Sequence, residues 1–183
     1  ARPIASDVIK IARKAQKNKN KVLIYPTLPR FHKNIELICK AISLINDENL
    51  PQFVVKITIS GNENRYASYL KSKYSHIKKI NFIGLQSKKR MDKLYREADA
   101  LVFPSKLETW GLPISEAINF NLPILVSKLE YSRETLGDYN NVSFFDHKNP
   151  IQLKTQITSL IRGTWKPHKY KKVKPKGLFA SNW

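Results

Sequence analysis

"INFIGLQSKKRMDKLYREADALVFPSKLETWGLPISEAINFNLPILVS", Ile80 to Ser127, alternates two kinds of apolar pattern. Short aliphatic or β-branched runs at Asn81–Ile83, Ala100–Phe103 and Pro123–Val126 have the length of strands buried on both faces. Between them, Lys88–Ala98 and Pro113–Asn119 carry their apolar residues at helical spacing. Strands of this kind separated by helices belong to a parallel sheet whose connections pack on its faces. The same alternation continues outward on both sides. Strands are predicted at Val22–Tyr25, Phe53–Ser60 and Val142–Phe144, and helices at Asn34–Asn46, Asn64–Lys73, Ser132–Leu136 and Pro150–Ile161. The expected fold is α/β, a doubly wound parallel sheet of about six strands over residues 21–162, with helices on both faces. Its ligand crevice should lie beyond the carboxyl ends of the strands.

The 183 residues fit one domain. Hydrophobic residues at 42% and charged residues at 26% argue against a disordered or membrane-spanning chain. The longest apolar runs, such as "KVLIYP" and "FVVKITIS", fall far short of the roughly 20 residues a transmembrane helix needs, and no signal peptide is recognisable. A single cysteine, Cys39, in an apolar helical setting reads as a packed thiol in a reducing cytoplasm. The net charge of +19 calls for an anionic partner: nucleic acid, an acidic membrane surface or a phosphorylated small molecule. Most lysines are dispersed along the chain, which fits a solvated surface equally well. Residues 1–20 read as a leading helix or linker with a stripe of Ile4, Val8, Ile11, Ala12 and Ala15; residues 163–183 read as a basic, Pro-containing tail.

The loops after the strands carry the chemistry. No Gly-x-Gly-x-x-Gly follows the first strand, where "YPTLPRFHKN" stands, which argues against a dinucleotide-binding oxidoreductase. After the fourth strand comes "FPSKLETWGLPISEA". Pro113 suits the first helical position, so amides near Gly111 and Leu112, and those of Ile114 and Ser115, should face out of a helix start that favours anions. Gly111 permits close approach of a ligand to the backbone. Glu116 is expected in the first turn and Glu108 in the loop before it, so both carboxylates border one pocket and accept hydrogen bonds from hydroxyls. On spacing alone the plainer reading is dipole compensation by Glu116, worth roughly 0.3–1 kcal/mol, and a solvated Glu108. The four histidines lack metal-ligand spacing. His32, in the first loop, reads as an exposed residue or as a donor to phosphate.

From "KVLIYPTLPRFHKN" to "NPIQLKTQI" the chain resembles the nucleotide-binding C-terminal half of family 4, the retaining glycosyltransferases of the GT-B fold. The marks are "ISGNEN", the Ile80–Ser127 block with its Glu-x7-Glu element at Glu108 and Glu116, Gly-Leu-Pro at Gly111 to Pro113, and "YSRETLGDYNNVSFFDHKNP". The resemblance implies a Rossmann-like domain and assigns roles by position. Glu116 would hold the ribose hydroxyls of a sugar nucleotide. Glu108 would contact the donor sugar and help stabilise a developing oxocarbenium ion. Amides at Trp110, Gly111 and Leu112 would meet the sugar and diphosphate, and residues near Gly84 and Leu85 would border the base. The chain departs from the family at Thr27, where an arginine is usual, leaving Arg30 as the nearest substitute and Lys33 in the place of the family lysine. Asn121 stands where the family favours glycine.

The implied function is donor binding for transfer of a sugar from a UDP- or GDP-sugar to an acceptor hydroxyl with retention, in bacterial surface polysaccharide or lipopolysaccharide assembly. Glu108, Lys33 and Arg30 are the expected catalytic residues, with the two basic side chains and the helix start neutralising the leaving diphosphate without metal or other cofactor. Acceptor recognition would lie in a missing N-terminal domain, toward which "FASNW" would lead, and the fragment alone would be inactive. The setting would be cytoplasmic, with an anionic membrane surface or lipid-linked acceptor as a further partner. Two alternatives remain: a basic nucleic-acid-binding domain, disfavoured by the hydroxyl-reading acids, and a sugar-nucleotide-binding module without turnover.

Overall fold

Residues 20–170 are described by a computed structural model; the leading segment and residues 171–183 of the basic tail lie outside them. Six strands form one sheet: β1 (Lys21–Tyr25), β2 (Phe53–Ile57), β3 (Ile80–Phe82), β4 (Ala100–Phe103), β5 (Ile124–Ser127) and β6 (Val142–Phe145). All pair in parallel, in the order β3-β2-β1-β4-β5-β6. Six helices alternate with them: α1 (Ile35–Ser43), α2 (Arg65–Tyr74), α3 (Lys88–Glu97), α4 (Leu112–Asn119), α5 (Glu130–Leu136) and α6 (Pro150–Arg162). This is the Rossmann-like arrangement expected from the alternation of patterns. β4, β5 and β6 are buried at every residue, as a sheet covered on both faces requires. Cys39 is fully buried in that core, and burial pushes its thiol up to about 12.

The reversal of strand order between β1 and β4 decides which helices share a face. Right-handed crossovers place α1 and α2 on one side and α3, α4 and α5 on the other. Side-chain contacts agree. On the first face Glu36 of α1 accepts hydrogen bonds from Tyr69, Lys73 and Tyr74 of α2, and α6 packs against α1. On the second, Tyr95 of α3 donates to Glu116 of α4.

Element ends differ from expectation for local reasons. β2 stops at Ile57, not Ser60, where the Thr58 hydroxyl in place of a backbone group takes the Thr27 N–H at 2.7 Å and donates to the Thr27 carbonyl at 2.9 Å. α1 ends at Ser43, not Asn46, in a tight turn in which the Ile45 N–H reaches the Ile42 carbonyl. α5 starts at Glu130 instead of Ser132. The described part of the tail is not free: the His168 N–H donates to the Val142 carbonyl, His168 Nδ1 accepts from the Phe144 N–H, and the Tyr170 ring meets Phe144 edge-on. Residues 163–170 thus run back beside β6.

Candidate functional site

A sheet of this order opens a crevice where the loops after β1 and β4 diverge. Two side chains separated by 75 residues meet there. Lys33 Nζ lies 2.7 and 2.8 Å from the two oxygens of Glu108, with the side chains only 20% and 9% exposed. The turn that presents Lys33 is fastened on three sides. Buried Tyr25, at the end of β1, donates its hydroxyl to the Lys33 carbonyl at 2.6 Å; burial raises its pKa, so it remains a neutral donor. The Lys106 N–H donates to the His32 carbonyl at 2.7 Å, joining the two loops. Asn34 follows in the left-handed conformation, φ 55°, which asparagine tolerates better than most residues. Its amide donates to the carbonyls of Pro104 and His147, joining the loops after β4 and β6.

Gly111 caps α4 with φ 72° and ψ 51°, a conformation that costs a side-chain-bearing residue and suits glycine. Leu112, not Pro113, is the first helical residue, which moves Glu116 out of the first turn into the second. Dipole compensation at the helix start therefore does not account for Glu116. The Ile114 N–H is not available to a ligand either, because it donates to the Gly111 carbonyl at 2.8 Å. Since Pro113 has no N–H, Gly111 and Leu112 carry the leading amides of this end. Thr135 of α5 fixes one of them. Its hydroxyl donates to the Trp110 carbonyl, and in a trans peptide the following N–H, that of Gly111, points the opposite way, away from α5.

Glu116 is exposed, but one of its oxygens is engaged: the Tyr95 hydroxyl donates to Oε2 at 2.7 Å. Tyr95 is buried and stacked on Phe120, with centroids 5.4 Å apart. Burial, then the neighbouring Glu116, raises its pKa far above the usual range, which keeps it protonated as a donor. Among the described residues Oε1 takes no hydrogen bond and is open as an acceptor. The Trp110 indole N–H donates to Ser115, leaving a ring 59% exposed. Gly84 donates its N–H to the Ile59 carbonyl, which sets Leu85 out at 81% exposure ahead of α3.

Arg30 does not join the Lys33–Glu108 pair. It lines a separate cleft with Phe31, His32, Arg65 and Tyr66, on the α1–α2 side. Four supporting residues escaped the sequence reading: Tyr25, Tyr95, Thr135 and Asn34. Only Asn34 left a signal, directly after Lys33 where a left-handed turn is needed. Among the described residues no three His, Cys, Asp or Glu side chains come together as a metal site. No helix among them is long and apolar enough to cross a membrane.

Comparison with known proteins decides the family. Residues 7–177 match the family described as glycosyl transferases group 1. The chain belongs to that family. An uncharacterised glycosyltransferase of Methanocaldococcus jannaschii is 27% identical over 130 residues, 71% of this chain and 33% of that protein. Among solved structures, HepE of Anabaena in complex with UDP-glucose superposes with a TM-score of 0.67 at 18% identity, covering 90% of this chain and 44% of that one. The C-terminal domain of the group 1 protein LpcC from Francisella tularensis superposes at 0.61 with 21% identity, covering 82% and 80%. This group 1 transferase chain thus spans about a third of the curated relative and under half of HepE, and it shares the fold of both structures.

Proposed function

We propose that this chain is the donor-binding, C-terminal half of a family 4 retaining glycosyltransferase, and that it holds a nucleoside diphosphate sugar across the crevice between the loops after β1 and β4. The observation that carries this reading is the Lys33–Glu108 pair at that crevice. In the free chain each neutralises the other. A diphosphate brings more negative charge than one carboxylate, so it draws Lys33 away from Glu108, and Glu108 is then released to accept hydrogen bonds from the donor sugar. The Gly111 N–H supports the same diphosphate, and Glu116 Oε1 takes the ribose hydroxyls while Tyr95 holds Oε2. As the anomeric bond breaks, charge accumulates on the leaving diphosphate, where a prepositioned lysine and amide stabilise it.

HepE, solved with UDP-glucose, supports a UDP-sugar as donor. A second domain is supported by the surface. Leu28, Phe31, Leu85, Leu107, Trp110 and Leu112, each at least 49% exposed, all lie in loops or a helix start at the carboxyl end of the sheet. They form an apolar rim suited to another domain that would carry the acceptor hydroxyl, in cytoplasmic polysaccharide assembly. Titration calorimetry with UDP and GDP, with and without chelator, tests the donor site. One of the two should bind equally in both conditions; no binding of either overturns the reading, and binding only with divalent metal overturns the metal-free mechanism.

A further inference from the structure

The segment after α6 is fastened to the sheet by a side chain that imitates backbone. Its near end is fixed first. The Thr164 and Trp165 N–H groups both donate to the Ser159 carbonyl, at 2.9 and 3.0 Å, and the Trp165 indole donates to the Ser143 hydroxyl at 3.0 Å. Three residues on, His168 meets the outer edge of β6 twice. Its N–H donates to the Val142 carbonyl at 2.7 Å, and its ring nitrogen Nδ1 accepts the Phe144 N–H at 3.1 Å. In a wider sheet those two β6 groups would pair with the backbone of a further strand; here the imidazole supplies the acceptor that a carbonyl would. Tyr170 closes the segment, its hydroxyl 2.9 and 3.0 Å from the Gly137 and Tyr139 carbonyls.

A carbonyl accepts at every pH, whereas an imidazole nitrogen accepts only while it carries no proton. Protonation puts an N–H on both ring nitrogens, so Nδ1 would then face the Phe144 N–H donor to donor. The Phe144 N–H is set by the strand and cannot turn away, and His168 is exposed, so protons reach it freely. The ionisable groups around the contact come from three elements. β6 contributes none. α5 brings Arg133, its guanidinium 5.9 Å from the centre of the Phe144 ring. The loop between α5 and β6 brings Tyr139 and Asp138, whose charge bears on Tyr170. The segment itself brings Lys166, Lys169 and Tyr170. Arg133, Lys166 and Lys169 against Asp138 leave a positive surplus that opposes an imidazolium in the docked position, adding to the clash of donors.

We propose that His168 is a proton-operated pin: neutral, it holds residues 166–170 along β6, and protonated, it lets them go while Trp165 keeps the near end in place. The docked segment keeps the proton off Nδ1 and the released segment does not. Docking is therefore full near pH 8 and weakens as pH falls through the range in which histidine takes its proton, about pH 8 to 5. The pin is independent of the donor reading, since it acts at the last strand of the sheet and not at the crevice between the loops after β1 and β4.

Amide exchange followed by NMR reads the pin directly, because the Phe144 N–H exchanges from the released state. The reference is His168→Asn, whose side-chain oxygen stands in the place of Nδ1 and does not titrate; comparing chains at one pH cancels the intrinsic effect of pH on exchange. The ratio of Phe144 exchange in the unsubstituted chain to that in His168→Asn should rise about tenfold from pH 7.5 to pH 5, the scale of one lost hydrogen bond. His168→Ala, which has no acceptor, should lose the protection of Phe144 already at pH 7.5. The Lys128 N–H, which donates to the Phe145 carbonyl at 2.8 Å from the β5 side, should show no such change of ratio. A Phe144 ratio that stays constant with pH, full protection of Phe144 in His168→Ala, or an equal rise at Lys128 overturns the proposal.

Discussion

An ammonium held by both oxygens of one carboxylate, at 2.7 and 2.8 Å, has one N–H left for a phosphate and its charge already matched, so full engagement of a diphosphate loosens the pair. The two partners should therefore answer oppositely to mutation. Glu108→Gln frees Lys33, so a bare nucleoside diphosphate should bind as well as before or better, while the intact sugar nucleotide loses affinity. Lys33→Ala should weaken the bare nucleoside diphosphate by about 1.5–3 kcal/mol. Calorimetry on both variants with both ligands checks this, and parallel losses in the two would contradict the exchange of partners. At Glu116 the expected result is a loss of about 1–3 kcal/mol in nucleotide affinity for Glu116→Gln with little change in melting, since the residue is exposed and stands beyond the first helical turn. A fall in stability with unchanged affinity would instead make it a structural residue.

The loop from Pro104 to Gly111 takes its shape from a neighbouring helix. Tyr131 and Thr135, one turn apart on α5, donate to the carbonyls of Ser105 and Trp110, the two ends of that loop. Thr135→Val keeps the shape of the side chain and removes the hydroxyl, releasing the Trp110–Gly111 peptide to rotate. Nucleotide affinity should fall by about 0.5–1.5 kcal/mol, the scale of one neutral hydrogen bond, and Thr135→Ser should restore it; a serine variant as weak as valine would argue for packing alone. Such a brace could not be read from sequence, because it joins residues 25 apart through a carbonyl that every residue type carries. The strands were legible for the opposite reason. Runs such as Ala100–Phe103 are buried on both faces, so their composition alone reports their place. Lys33 and Glu108 were each marked by their loops, but their contact depends on β1 and β4 lying side by side, a fact of topology. Glu116 stands just past the first turn, not in it, because the helix begins at Leu112, one residue ahead of the proline that suits a helix start.

Across the whole molecule, burial of ionisable groups sets the response to alkali. Burial pushes Cys39 and Tyr66 up to about 12, and burial followed by Glu36 does the same for Tyr74. The unfolded chain releases these protons from about pH 9 for the thiol and about pH 10 for the phenols, whereas the folded chain keeps them to about pH 12. Over that window the unfolded state binds fewer protons, so stability is full below pH 9 and falls as pH rises. Melting temperature should accordingly drop between about pH 8 and pH 10.5, and a flat profile would contradict these raised values. The passage of residues 163–170 beside β6 has a different consequence. β6 is the last strand of the sheet, and a bare outermost strand is a template on which another chain can add. His168 occupies its Val142 carbonyl and its Phe144 N–H, so a chain ending at Gly163 should self-associate with rising concentration in light scattering, while one ending at Tyr170 should stay monodisperse. The basic stretch that reads as a tail would then be the sheet's guard against its own polymerisation.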